Sequence, residues 1–460
     1  MSANGYVNAI VSVNFNEKNI ANKEITLDFN IREGEKLYIR KINIIGNYST
    51  DDTILRQELR QMEGAAYNQN SIESSIRHIK NLGYIKSVNC IPHGTATGKW
   101  LDLDCIIEED NSTSSATAEL GYGDPDGFIV NLMLNKNNVF GTGNKLSLQF
   151  NRSKSEKTYK IFHSWPHLSL RGDNATAKIY YTKFTPGKTN ISQYHTDSYG
   201  MNLSYGIPLA DNTGFNMGLG FEHMKLSSLE NTPEEISTYI SNYGDIFNQL
   251  KLSFSLVHST IDNSYMPIYG VRRNLSLETA VPYQNVDNVL SYYKINFTNN
   301  WYKPLYTLAN GGKFIFLSNT KLGYGAGLGN QGSDLPFFKN YFAGGIGSVR
   351  GYVGNSLGPR GTLSGGGEGN ALGGNVLLVQ SLNLIVPQKL YEQARVSLFF
   401  DAGNVYENNI DLNQIRYSAG VAVQANINNM LPVVFSLGFP LKQFSNDKKE
   451  TFAFSITTDI

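Results

Sequence analysis

The chain carries little charge and no excess of either sign. Lysine plus arginine and aspartate plus glutamate each total 39 among 460 residues, and charged residues make up 17%. That balance excludes a basic nucleic-acid surface and an acidic disordered tail. No apolar run reaches the roughly 18 residues that a membrane-spanning helix needs. Met1 is followed by polar residues rather than by the charged and then apolar stretch of a signal peptide, so any export signal is expected to have been removed. Two cysteines and seven histidines lie scattered without metal-ligand spacing, and no G-x-S-x-G nucleophile elbow occurs. Neither an enzyme motif nor a cofactor site is expected. Gly327-Leu328-Gly329-Asn330-Gln331-Gly332 matches a dinucleotide-binding string, yet no helix or βαβ unit follows it.

What is abundant points to β-structure. The 44 glycines, 27 tyrosines and 24 phenylalanines describe many turns and much aromatic surface. The length leaves room for two or more domains.

Residues 36–110 read as one small α/β unit. It opens with an extended stretch from Leu37 to Ile45 and a turn at Gly46 and Asn47. Ile54, Leu55, Leu59 and Met62 then predict a helix over 53–62, and Ile72, Ile76, Ile79 and Leu82 predict a second over 68–82. In the second, Asn70 and Glu73 approach a capping box, and Gly83 stands where a helix stop is expected. Two strands follow, Ile85 to Pro92 and Trp100 to Glu108, which makes the order β-α-α-β-β. Cys90 and Cys105 fall opposite each other in that hairpin, either as a disulfide or as two buried thiols. Gly5-Tyr6 answers Gly83-Tyr84, so residues 1–35 are read as the C-terminal part of a preceding, truncated unit of the same kind.

Beyond Ser114 helical periodicity vanishes. Segments of about ten residues alternate apolar and polar. In one, Leu146, Leu148 and Phe150 face away from Lys145, Ser147 and Gln149; in another, Tyr199, Met201, Leu203, Tyr205 and Ile207 face away from Asn202 and Ser204. About sixteen such segments run to Ile460, the pattern of a transmembrane antiparallel β-barrel. A soluble β-sandwich also alternates. Aromatic residues near strand ends, at Trp165, Tyr180, Tyr181, Trp301 and Tyr302, favour lipid. A sheet in hydrocarbon must close, because open edges leave amides unpaired. The expected fold is therefore mainly β: a barrel over 114–460 behind an α/β domain.

One loop, from about Gly325 to Gly374, is far longer than ordinary hairpin connections. It contains Phe337-Phe338-Lys339-Asn340-Tyr341-Phe342-Ala343-Gly344-Gly345-Ile346-Gly347-Ser348-Val349-Arg350-Gly351-Tyr352, then Gly358-Pro359-Arg360, then Gly373-Gly374-Asn375. The Val349-Arg350-Gly351-Tyr352 core between paired glycines and Gly-Pro-Arg resembles the sixth-loop signature of the BamA family of outer-membrane protein assembly factors. Gln380-Ser381-Leu382-Asn383-Leu384-Ile385-Val386-Pro387 is similar to that family's next strand, and Phe399-Phe400-Asp401-Ala402-Gly403-Asn404-Val405 to the one after. The β-α-α-β-β unit resembles a POTRA domain.

The resemblance implies that the loop folds back into the lumen and sets Arg350 against acidic groups on the inner wall. Parity reaches the same wall independently. Val396, Leu398 and Phe400 share an apolar face, so Arg395, Ser397, Phe399 and Asp401 point inward. Asn383 also points inward, where the family typically offers a second acidic group. The resemblance further implies a seam. Its first strand would hold Ala116, Thr117, Ala118, Glu119, Leu120, Gly121 and Tyr122, and its last strand Phe452, Phe454, Ile456 and Ile460, where family members usually end on an aromatic residue.

By resemblance the chain is expected in the outer membrane of a Gram-negative bacterium, with its POTRA domains in the periplasm. There it would insert other outer-membrane proteins without catalysis. Expected partners are unfolded outer-membrane protein precursors, accessory outer-membrane lipoproteins, periplasmic chaperones and membrane lipid, with no nucleic acid. The alternative is a two-partner-type secretion pore or a TamA-like translocation and assembly protein of the same superfamily.

Overall fold

The structure is a computed structural model that describes residues 6, 10–16, 26–96, 98–110, 112–123, 126–166, 168–169, 171–264, 266–282, 289–309, 311–328, 334–388, 394–427 and 431–456. It divides into two units. One comprises residues 1–115 with the segments 135–146 and 164–172, and the other holds the remainder.

In the first unit, β1 (Ile10–Asn16) and β2 (Thr26–Arg32) pair antiparallel. There follow β3 (Tyr38–Ile45), α1 (Asp52–Gln57), α2 (Gln69–Lys80), β4 (Ile85–Gly94) and β5 (Trp100–Glu109). Their sheet runs β3-β5-β4, parallel on one side of β5 and antiparallel on the other. Ile39 and Ile42 from the sheet meet Leu55 and Ile79 from the helices, with Leu103 and Cys105 beneath, all buried. Register pairs Cys90 with Cys105, and the two are joined in a disulfide.

Helical spacing overestimates α1, which ends at Gln57. Gln61 explains the early stop. Its Nε2 donates to the carbonyls of Met62 (3.2 Å) and Ala66 (3.1 Å), and its Oε1 accepts from the Asn68 amide (2.9 Å). This buried side chain ties Gln61–Asn68 into a turn, and Met62 is left exposed. The cap of α2 is Asn68 rather than Asn70: its side chain accepts from the Ser71 amide at 3.1 Å, and Asn70 already lies inside the first turn.

The barrel opens with β6 (Ser114–Gly123), β7 (Gly127–Lys136), β8 (Lys145–Arg152), β9 (Glu156–Trp165), β10 (Asn174–Phe184) and β11 (Tyr194–Ala210). It continues with β12 (Thr213–Ser228), α3 (Glu234–Tyr243), β13 (Ile246–Ser259), β14 (Gly270–Val281), β15 (Tyr292–Thr307) and β16 (Lys313–Gly327). The long loop then carries β17 (Gly351–Tyr352), β18 (Arg360–Thr362) and β19 (Glu368–Ala371). Last come β20 (Val376–Val386), β21 (Ala394–Tyr406), β22 (Arg416–Ile427), β23 (Leu431–Lys442), β24 (Lys449–Glu450) and β25 (Phe452–Ile456). Sixteen of these strands, β6 to β16, β20 to β23 and β25, close antiparallel into a barrel.

Leu203, Leu219, Leu275 and Leu398 stand exposed on the outer face, as an apolar belt facing lipid requires. The aromatic residues divide. Tyr181 and Trp301 are exposed, whereas Tyr180 points inward and its hydroxyl donates to Glu222. Adjacent residues of a strand take opposite faces, so Tyr180 and Tyr181 cannot both meet lipid, nor can Trp301 and Tyr302. Gly329 and Gly332 of the dinucleotide-like string lie outside the described residues.

Candidate functional site

The tip of the long loop rests on the inner wall formed by β20 to β23. Asp401 on β21 pairs across the ladder with Ser381 on β20, and Phe399 pairs with Asn383, so four inward side chains form one patch. Arg350 lands on it. Its Nε donates to Asp401 Oδ2 at 2.7 Å and its Nη2 to Asp401 Oδ1 at 2.7 Å, a bidentate pair. The Arg350 amide adds a third bond to Oδ2 at 3.0 Å.

Nη2 also reaches Ser381 Oγ and Asn383 Oδ1, each at 2.9 Å. Ser381 Oγ donates in turn to Asp401 Oδ1 at 2.6 Å and accepts from Asn383 Nδ2 at 3.0 Å. The guanidinium carbon lies 3.5 Å from the Phe399 ring centroid, a cation–π contact. Arg350 is 9% exposed and Asp401 0%. Withdrawn from water, each charge depends on the other, because a buried ion left without its partner is strongly destabilising.

The neighbouring motif residues hold the arginine in place. Val349 is fully buried among Tyr341, Ala343, Leu357, Val379 and Val405. Gly351 has φ +90°, a conformation that L side chains rarely adopt. Tyr352, also fully buried, donates its hydroxyl to the Lys442 carbonyl at the end of β23.

A second polar cluster fastens the loop further back. Lys339 Nζ lies 3.4 Å from Glu222 Oε1 on β12, and Lys251 Nζ on β13 lies 2.9 Å from Glu222 Oε2. Gln249 Nε2 donates to Glu222 Oε1 at 3.0 Å. Lys294 Nζ donates to the Lys339 carbonyl and stands 4.1 Å from the Tyr341 ring centroid.

The structure brings together Arg350, Asp401 and Asn383: alternation turns Asp401 and Asn383 inward, and the docking of Arg350 on them is what the family resemblance implies. Ser381, Glu222, Lys339 and Gly438 complete the site without a sequence motif that marks them. Parity marks Glu222 inward, since Phe221 faces out, but nothing local in the sequence pairs it with a loop residue 117 positions away. Gly438 matters by close approach. A Cβ there would come within 2.6 Å of the Gly351 nitrogen and 2.9 Å of the Arg350 carbonyl carbon.

The barrel closes where β25 meets β6, through Ser455 with Gly123 and Ile456 with Tyr122. The Tyr122 ring stacks on Phe454 at 6.0 Å. Ala116, Thr117, Ala118 and Leu120 are exposed, Glu119 accepts from Asn131 Nδ2 at 2.9 Å, and Phe452 is exposed on the last strand. A Cβ on Gly121 would stand 2.4 Å from the Ile456 carbonyl oxygen, a second place where only glycine fits. Ile460 lies outside the described residues.

Comparison with known proteins follows the same division of the chain. Residues 138–460 match the Omp85 superfamily domain, and residues 37–110 match the POTRA model, described as a surface antigen variable number repeat. The outer membrane protein assembly factor BamA of Neisseria meningitidis serogroup B is 29% identical over 100% of this chain and 61% of that protein. BamA of Neorickettsia risticii is 24% identical over 88% of this chain and 53% of that protein. The chain therefore spans 61% and 53% of these two relatives. The crystal structure of BamA from Haemophilus ducreyi lacking POTRA domains 1–3 superposes with a TM-score of 0.84 at 26% identity, covering 99% of this chain and 90% of that one. CdiB from Acinetobacter baumannii, at 14% identity and a TM-score of 0.57 over 98% of this chain and 78% of its own, shares the fold alone.

Proposed function

The chain belongs to the Omp85 superfamily, and from that membership we propose that it is an outer-membrane assembly factor that folds and inserts other β-barrel proteins. The observation that carries the reading is the way the barrel closes. The first and last strands close it: Ser455 pairs with Gly123 and Ile456 with Tyr122, and Gly121 lies against the Ile456 carbonyl. In this reading that junction is the one that parts, and a parted junction exposes the amides and carbonyls of β6. An incoming strand can then add to that edge by β-augmentation. Nothing in such a step makes or breaks a covalent bond, so the activity is insertion rather than catalysis.

In this reading residues 36–110 are one complete POTRA domain in the periplasm, residues 1–35 are the end of another, and 114–460 form the barrel in the outer membrane. The clients are unfolded outer-membrane protein precursors. Periplasmic chaperones deliver them, and accessory outer-membrane lipoproteins work alongside. BamA is the name carried by the relatives similar over most of the chain, which supports assembly over secretion.

Site-specific crosslinking tests this. Photoreactive groups at positions 117 to 121 of the full-length protein in bilayers are offered an unfolded barrel client bearing its C-terminal strand. Crosslinks confined to that final strand are expected. Crosslinks along lumen positions to a secreted soluble chain, with none at the seam, would replace assembly with a secretion pore.

A further inference from the structure

The segment that leads into the closing strand is bound to the long loop. Between the end of β23 at Lys442 and the start of β25 at Phe452, the chain makes a run of contacts with residues 351–370. Gly351 and Tyr352 pair antiparallel with Glu450 and Lys449. The Val353 amide donates to the Lys448 carbonyl at 3.0 Å. Arg360 Nη2 donates to the Asn446 carbonyl at 2.7 Å, Asn446 Nδ2 to Glu368 Oε1 at 2.9 Å, and Lys448 Nζ to Asn370 Oδ1 at 3.2 Å. The barrel wall holds it too, with the Arg416 guanidinium carbon 4.5 Å from the Phe444 ring centroid. Arg416 binds Asp447 at 2.9 Å, and the Gly438 amide donates to Thr451 at 2.8 Å.

Arg350 is one residue from this pairing, and Phe452 is two residues beyond it. From these contacts we infer that the long loop clasps the lead-in of the final strand, so that the Arg350 latch and β25 are released together as one cooperative unit. Gly438 and Tyr352 are its positioning residues. Gly438 leaves room for the Arg350–Gly351 peptide against β23, with 2.6 Å from its would-be Cβ to the Gly351 nitrogen. Tyr352 pins the tip to the carbonyl of Lys442, where the lead-in departs. The inference deepens the assembly reading and rests on it for its functional consequence only: a latch inside the lumen would govern how readily the barrel opens at β25.

Hydrogen exchange on the full-length protein in bilayers tests the coupling directly. In Arg350→Ala, amides of residues 352–353 and 449–456 are expected to exchange faster together, by roughly a hundredfold to several thousandfold, as removal of one partner of a buried pair implies. Amides of β11 and β12 should keep their protection. Gly438→Ala is expected to give the same pattern with Arg350 and Asp401 both present, and Tyr352→Phe, which removes a single hydroxyl, a weaker form of it. Joining the register partners through Tyr352→Cys with Lys449→Cys should restore protection of Phe452–Ile456 in the Arg350→Ala background; the same variant with its thiols alkylated before oxidation should not.

Loss of protection at the tip with 449–456 unchanged would overturn the clasp. Uniform loss across the barrel would do so too. Client insertion is scored on the same variants. If exchange is coupled but insertion is unaffected, the clasp stands and its control over barrel opening is overturned; if exchange is coupled and the unsubstituted protein inserts no client, the clasp stands and the assembly reading falls.

Discussion

Asp401 accepts three bonds from Arg350, two from the guanidinium at 2.7 Å and one from the backbone amide at 3.0 Å. The side chain and main chain of one loop residue are thereby bound to a single wall carboxylate. Arg350→Ala removes two of these bonds and leaves Asp401 buried with Ser381 and one amide. The expected loss is about 3–5 kcal/mol. It should appear as a lower temperature for heat-modifiable migration and as new protease cleavage within 337–353. Unchanged migration together with an uncut loop would contradict the account.

Alternation in the sequence carried most of this geometry. With Leu398 and Phe400 outward, Asp401 has to face the lumen, and the same count turns Asn383 inward. What alternation cannot carry is which distant segment docks there. Ser381 reads as an ordinary lumenal serine until Arg350 and Asn383 both converge on its hydroxyl. Gly438 looks like a strand glycine until the Gly351 nitrogen is found against it. The helix ends depart from apolar periodicity for a local reason. Gln61 has side-chain donors and an acceptor that can close a turn, and periodicity counts only its apolar neighbours.

Glu109 supplies a pH dependence in the first unit. Burial pushes its carboxyl up, but bonds from the Thr50 amide at 2.7 Å and the Ser49 amide at 2.8 Å bring it below the ordinary glutamate value overall. A group depressed in the folded state binds fewer protons there than when unfolded. Its contribution is therefore present above the unfolded pKa and lost as pH falls through the folded one. The Ser49 and Thr50 amide shifts should titrate with a midpoint under about 4.3, and Glu109→Gln should flatten them. A midpoint at or above that value would rule the contribution out.

The Cys90–Cys105 disulfide joins neighbouring strands across a sequence separation of 15 with Cys105 in the core. Closing a loop of that length removes entropy from the unfolded chain worth about 3 kcal/mol. Cys90→Ala with Cys105→Ala should shift the urea midpoint of the first unit downward, read by pulse proteolysis within residues 37–110. The barrel's heat-modifiable migration should stay where it is. An unmoved midpoint would mean that the sheet register alone holds the hairpin.

Glu222 and Lys339 test whether the loop has one anchor or two. Glu222 sits between Lys339 at 3.4 Å and Lys251 at 2.9 Å, and it also accepts from Gln249 and Tyr180. Glu222→Gln keeps the shape and leaves two ammonium groups facing a neutral amide, so a loss on the order of 3 kcal/mol is expected. Lys339 and Arg350 lie on one loop. If either anchor alone seats it, the single variants are mild and the double variant Glu222→Gln with Arg350→Ala is worse than their sum. If seating needs both, each single variant already frees the loop and the double adds little. The wall contacts are separate, Glu222 on β12 and Asp401 on β21, but the packing of Tyr341 and Ala343 with Val349 and Tyr352 links the two loop segments. Shared packing of this kind favours the second case, with a coupling energy of about 0.5–3 kcal/mol in the double-mutant cycle. A double variant whose loss equals the sum of the singles would show two independent anchors.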